Sequence, residues 1–197
     1  LVMPAVTLAA PENEDPEIPS RDYVDEYGIN HGQGVEIDGV VWAPVNCGYH
    51  ATDYKYGKLY QWGRKHGQGY DSIDAATPEI MKGPISAVNG QSDTYSNVFF
   101  KISEYPYDWT SQLDGKLWNT GTDNKPEKTA YDSCPDGWRV PTRAELSNLR
   151  NNHSSWEQKD GKQGYWFSGL EPYTPTSLQV FLPATGKRDG EGNVSHR

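Results

Sequence analysis

The sequence predicts a mixed α+β domain in which a short helix stands among short strands and long ordered loops. Three observations carry that reading. Thr142 stands three residues before Glu145, the spacing of a capping box that opens a helix. Asp38-Gly39 separates two short valine-rich runs, the mark of a tight hairpin. Residues 71 to 130 are broken by Ser, Asp, Gly, Asn and Pro into apolar groups too short for long elements.

From the N-terminus, LVMPAVTLAA is apolar but has no basic flank and is interrupted by Pro4, so it reads as a mature terminus and not as a signal peptide. As an alternating strand it would put Val2, Pro4 and Val6 on one face and Met3, Ala5 and Thr7 on the other. That suits an edge or an exchanged strand, with a frayed end as the competing account. PENEDPEIPS follows, acidic and Pro-rich, a solvated linker. Residues 1–22 are therefore expected to be a flexible leader and 23–197 a single domain.

In GVEIDGVVWAPVNC, from Gly34, Val35 and Ile37 alternate with Glu36, and Val40 to Trp42 resume after the turn. Pro44 confines the end of the second strand to an edge or bulge. Leu59, Tyr60 and Trp62 form a strand or a single helical turn, closed by Gly63, Gly67 and Gly69. Trp138 and Val140 alternate around Arg139 as a short strand, which Pro141 ends because it has no N–H for a ladder. The helix begins at Arg143, with Leu146 and Leu149 as its apolar edge and Arg143, Ser147 and Arg150 toward water. Tyr165 to Ser168 and Leu178 to Ala184 are the last strand candidates, followed by a polar tail, KRDGEGNVSHR.

A net charge of −9 without a basic cluster argues against nucleic acid and anionic membranes as partners. No run of eighteen apolar residues exists, so no transmembrane helix is encoded. With 7 Trp and 13 Tyr against 4 Phe and 2 Met, the apolar mass sits in rings that carry a polar handle.

Val41-Trp42-Ala43-Pro44-Val45-Asn46, Gly57-Lys58-Leu59-Tyr60-Gln61-Trp62, Cys134-Pro135-Asp136-Gly137-Trp138-Arg139-Val140-Pro141-Thr142 with Glu145 and Leu149, and Tyr165-Trp166-Phe167-Ser168 resemble, in order, the FISUMP major paralogous domain of bacterial surface proteins. The WRVPTRAEL run is also similar to one in the formylglycine-generating sulfatase-modifying family, which shares the fold. The resemblance implies a C-type lectin-like fold: two short helices, small twisted antiparallel sheets, and long ordered loops that carry the binding surface. It further implies an extracellular or bacterial cell-surface location. The family pattern continues past Phe-Leu-Pro to further strands that are missing here, so the apolar N-terminal residues are a candidate to complete the fold.

In such an exported chain, Cys47 and Cys134 are expected to form a disulfide if their Cα atoms approach within about 7 Å, with buried free thiols as the alternative. Closing so long a loop would stabilise the fold by about 4 to 5 kcal/mol in the chain-entropy view. The histidines at 31, 50, 66, 153 and 196 have no metal-ligand spacing, so no metal or other cofactor is expected. Asp189-Gly190-Glu191-Gly192-Asn193 places oxygen side chains around glycines, with a solvated turn as the reading preferred over calcium. Glu171-Pro172-Tyr173 stands where sugar-binding lectins carry Glu-Pro-Asn. No nucleophile elbow, phosphate loop or marked carboxylate pair appears, and the expectation is a protein that is not an enzyme.

Tyr105, Tyr107 and Trp109 put three rings within five residues around Pro106, a candidate stacking platform, and Glu171 and Tyr173 complete the candidate ligand-binding set. The expected role is a surface binding or adhesion module for a glycan or protein ligand. The competing role is a subunit of a surface assembly, in which the leader pairs with the exposed sheet edge of a partner subunit. A second alternative is an enzyme of the sulfatase-modifying type, which would need a metal or cysteine centre that the sequence does not show.

Overall fold

The structure is a computed structural model and describes residues 4–7, 22–69, 78–112, 115–151, 154–168 and 179–195. Strands β1 (Val6–Thr7), β2 (Asp22–Val24), β3 (Asn30–Gln33), β4 (Val35–Ile37), β5 (Val40–Trp42), β6 (Leu59–Tyr60) and β7 (Gly67–Gln68) come first in the chain. Strand β8 (Glu79–Lys82), helix α1 (Ala87–Gly90), a 3-10 turn (Asp93–Tyr95) and strand β9 (Val98–Lys101) occupy the middle. Strand β10 (Trp138–Arg139), helix α2 (Arg143–Asn151) and strands β11 (Ser154–Lys159), β12 (Lys162–Ser168), β13 (Gln179–Pro183), β14 (Lys187–Arg188) and β15 (Val194–Ser195) follow. The class is α+β, with two helices among several small sheets in the described residues.

The organising sheet has the order β10-β1-β5-β4. Val6 lies opposite both Trp42 and Arg139, so β1 is an interior strand, antiparallel to each neighbour. Side-chain alternation sends Ala5, Val41, Ala43 and Trp138 into one core with Tyr23, Cys47 and Tyr60. It sends Val6, Val35, Ile37 and Trp42 into another, closed by Leu149, Phe167 and Val180. Ala5 and Val6 are fully buried, so these residues belong to the folded body and not to a flexible leader or a sheet edge. Two flanking ladders and burial on both faces outweigh the entropy of ordering the segment.

The expected hairpin joins β4 to β5 with Val35 opposite Trp42 and Ile37 opposite Val40. Asp38 (φ 52°) and Gly39 (φ 75°) both take positive φ, the turn whose twist matches paired strands. At α2 the capping box forms in both directions. The Glu145 amide donates to Thr142 Oγ1 (3.2 Å) and the Thr142 amide to Glu145 Oε2 (2.7 Å). Arg139 forks onto the same carboxylate at 2.8 and 2.5 Å, tying β10 to the helix it feeds. The preceding turn is wired from inside. Lys128 Nζ donates to the carbonyls of Cys134 (2.6 Å) and Trp138 (2.7 Å), while the Asp132 carboxylate accepts the amides of Cys134 and Val140, both at 2.8 Å.

Several elements depart from the sequence expectation. Strands β11 and β12 form a hairpin around Asp160-Gly161, the same turn signal as Asp38-Gly39, but Ser154–Lys159 has no apolar alternation to mark it as a strand. Strands β8 and β9 pair in parallel, whereas only antiparallel sheets were expected. The polar tail supplies the β14–β15 hairpin. The expected disulfide is absent: Cys47 and Cys134 are free, buried thiols. In the packed core Cys47 Sγ donates to the Ser133 carbonyl (3.1 Å) and accepts from the Tyr60 hydroxyl (3.4 Å). The adjoining Cys134 thiol, with Tyr60, holds Cys47 below the usual thiol range, and burial pushes Cys134 above it.

Candidate functional site

The β6–β7 hairpin tip and the segment from 83 to 118 are joined by side chains that satisfy backbone groups. Arg64, fully buried, donates to the carbonyls of Gly90 (3.1 Å), Tyr95 (2.7 Å) and Val98. Its guanidinium lies over the Phe100 ring at 4.8 Å and the Trp109 ring at 5.8 Å. Burial pulls its pKa down to about 10. Gln61 brackets Phe100, accepting its amide at 2.9 Å and donating to its carbonyl at 3.0 Å. Trp109 Nε1 donates to the Trp62 carbonyl (2.5 Å) and Trp118 Nε1 to that of Arg64 (3.1 Å). Gly90 is required beneath the Trp109 ring, because a Cβ there would overlap the indole.

These anchors leave a cleft of about 370 Å³ between the β6–β7 hairpin, the segment from 99 to 109, and the β14–β15 hairpin. Tyr60, Phe99, Phe100 and Trp109 supply its buried aromatic lining. Trp62 (41% exposed) and Tyr107 (68% exposed) are its solvent-facing rings. Tyr107 has φ 62°, a left-handed backbone that an aromatic residue rarely adopts. Asp108 lines the cleft and accepts the Thr110 amide on Oδ1 (3.2 Å). A second cleft of about 420 Å³ shares Ile102 and Asp108 with the first and is lined by Tyr105.

The structure divides the expected platform. Tyr105 (87% exposed) and Tyr107 stand edge to face, with ring centroids 6.3 Å apart. Trp109 (4% exposed) is instead a core residue stacked on Phe100, because its indole N–H is spent on the Trp62 turn. Glu171 and Tyr173 lie outside the described residues. Trp62 was not singled out from the sequence. Its position before Gly63 in a hairpin tip was the available signal, since a ring at a tip has one side without neighbours.

The Asp189 loop is satisfied within itself. Oδ1 accepts the amides of Glu191 and Asn193, both at 2.9 Å, and Oδ2 accepts Asn193 Nδ2 (3.2 Å). The Asn193 amide leads the contacts that hold this carboxyl below the usual range. No cluster of three or more metal-ligating side chains occurs among the described residues. The same residues include no helix long and apolar enough to cross a membrane. Among the described residues the first cleft is lined by two carboxylates, Asp108 and Asp189, and the second of these is committed to its loop. No family model, curated protein or solved structure matches the chain.

Proposed function

We propose that the chain is a non-enzymatic binding and adhesion module of the bacterial cell surface, built on a C-type lectin-like scaffold of the FISUMP type, which captures a glycan in the cleft between Trp62 and Tyr107. The observation that carries this reading is the pair of solvent-facing rings beside one cleft, on a framework fixed by buried hydrogen bonds. An aromatic face packs against the C–H face of a pyranose, and Asp108 can accept from sugar hydroxyls. Tyr107 adds weight, because a strained backbone that exposes a large apolar ring has little value for stability. The scaffold assignment draws on the Cys134 to Thr142 motif and on the strand-to-helix step that follows it.

A glycan array with the purified chain, followed by titration calorimetry on the best binder, tests the reading. Trp62→Ala and Tyr107→Ala are each expected to weaken binding about tenfold, with little change in melting temperature. Full affinity in both variants would sink the assignment.

Strand β1 favours a second reading, a surface-assembly subunit completed by strand exchange. The slot between β5 and β10 is filled by Val6–Thr7, and a neighbouring copy's segment would fit the same ladders. A chain shortened by residues 1–7 that rebinds a synthetic Leu1–Leu8 peptide, together with oligomers of the full chain, would support it. A monomer at all concentrations would reject it.

A further inference from the structure

The sheet formed by β11, β12 and β13 has one face that changes character along its length. Ser154, Phe167 and Val180 are in register at one end, where Phe167 and Val180 pack against Leu149 of α2. One ladder step outward, Trp156, Tyr165 and Leu182 are in register, and the face opens to solvent. Trp156 is 51% and Tyr165 42% exposed, with ring centroids 4.8 Å apart at 68°. They line a cleft of about 520 Å³, larger than either cleft beside the 103–108 segment.

The charge of this cleft runs against that of the chain. Asp and Glu outnumber Lys and Arg by 27 to 18, and the clefts beside Trp62, Tyr105, Asp123 and Asp160 each include at least one carboxylate. Among the described residues the cleft beside Trp156 has none, and its charged lining residues are Arg150 and Lys187. Both are exposed, and neither forms an ion pair among the described residues. By contrast, Lys159 and Lys162 of the same sheet lie over Trp166 and Tyr56.

We propose that this face is a second binding site, distinct from the Trp62 cleft, for an acidic saccharide built of uronic acid residues. The hydrogens on a pyranose face are electropositive and meet the electron-rich faces of Trp156 and Tyr165. The carboxylate of a uronic acid projects from the ring edge, toward the cations that flank the rings. Arg150 offers a planar fork that matches a carboxylate through two hydrogen bonds, and Lys187 offers a point charge. Two cations suit a ligand with one charge per sugar. A densely sulfated chain would bring more negative charge than they neutralise, against a protein of net charge −9.

The test is titration calorimetry of the full chain with hexagalacturonate, using maltohexaose, a heparin-derived hexasaccharide and hexaglutamate as comparison probes. Hexagalacturonate is expected to bind at least about tenfold more tightly than each of the other three and to weaken as salt rises from about 50 to about 300 mM. Trp156→Ala is expected to cost about tenfold, and Arg150→Gln and Lys187→Gln about fivefold each. Tyr107→Ala should leave this binding intact, which separates the site from the Trp62 cleft. In the Tyr107→Ala chain, where the Trp62 cleft is weakened, equal affinity for maltohexaose, a preference for heparin or hexaglutamate, or binding indifferent to both Trp156→Ala and Arg150→Gln would each overturn the proposal. Trp156 is half exposed, and a melting curve matching the unmodified chain confirms that its variant is folded.

Discussion

The four-stranded sheet and the segment from 59 to 118 solve the same problem with different means. In the sheet, β1, β4, β5 and β10 satisfy one another's backbone groups by ladders, and apolar side chains alternate into two cores. Across the other region regular pairing is short, and side chains take over part of the work. Arg64 serves three carbonyls, Gln61 both backbone groups of Phe100, and two indoles cap Trp62 and Arg64. Buried backbone must be satisfied in either case. A ladder spreads that requirement over many residues, whereas a side-chain anchor concentrates it. The second strategy frees the intervening backbone to present exposed rings, and it makes the region depend on a few positions.

Substitutions in the two regions sharpen this contrast. Trp138→Ala, in the sheet, is expected to cost about 4 kcal/mol in urea unfolding, since it empties a large site that few neighbours can fill. Amide exchange should then rise throughout the molecule. Arg64→Met leaves three carbonyls without a donor and is expected to cost about 3 kcal/mol, with the loss of exchange protection centred on residues 86–101. A uniform loss in both variants would show that the regions unfold as one unit.

Glu145→Gln probes the cap that couples sheet to helix, with an expected cost of about 1 kcal/mol at neutral pH. Burial works to raise the Glu145 carboxyl, but hydrogen bonds from Arg139 and Thr142 outweigh it and hold the group below the ordinary value of 4.5. The carboxylate's contribution is therefore complete above that value and fades as pH falls through the lower folded one. Unfolding curves of the two proteins should converge on acidification, and a gap that stays constant would assign the effect to packing. The smallest expected change is a gain. Tyr107→Gly relieves a left-handed backbone at the expense of a looser unfolded chain, and is expected to raise stability by about 0.5 kcal/mol while weakening glycan capture.

The same contrast explains what the sequence disclosed. Elements that depend on local chemistry were legible: Thr142 and Glu145 announce the start of α2, and Asp38-Gly39 announces the β4–β5 hairpin. Elements that depend on distant partners were not. Val6 reads as an edge strand because nothing nearby reveals that residues 42 and 139 flank it. Ser154–Lys159 is paired on one side and mostly exposed, so its composition resembles a loop. The site was half legible. Tyr105 and Tyr107 are exposed as their loop position suggested, but the burial of Trp109 follows from Gly90 and the Trp62 carbonyl, both remote in sequence.

The position of β1 also bears on how the chain is made. Within the sheet, β5 and β10 have no ladder with each other and are bridged by a segment that precedes both in the chain. On a ribosome, Val6 can close its contact with Trp42 early but must then wait for Arg139 to emerge, about 5 to 20 seconds later at ordinary elongation speeds. Until then the apolar segment has one unsatisfied edge, open to a chaperone or to the slot of a neighbouring nascent chain.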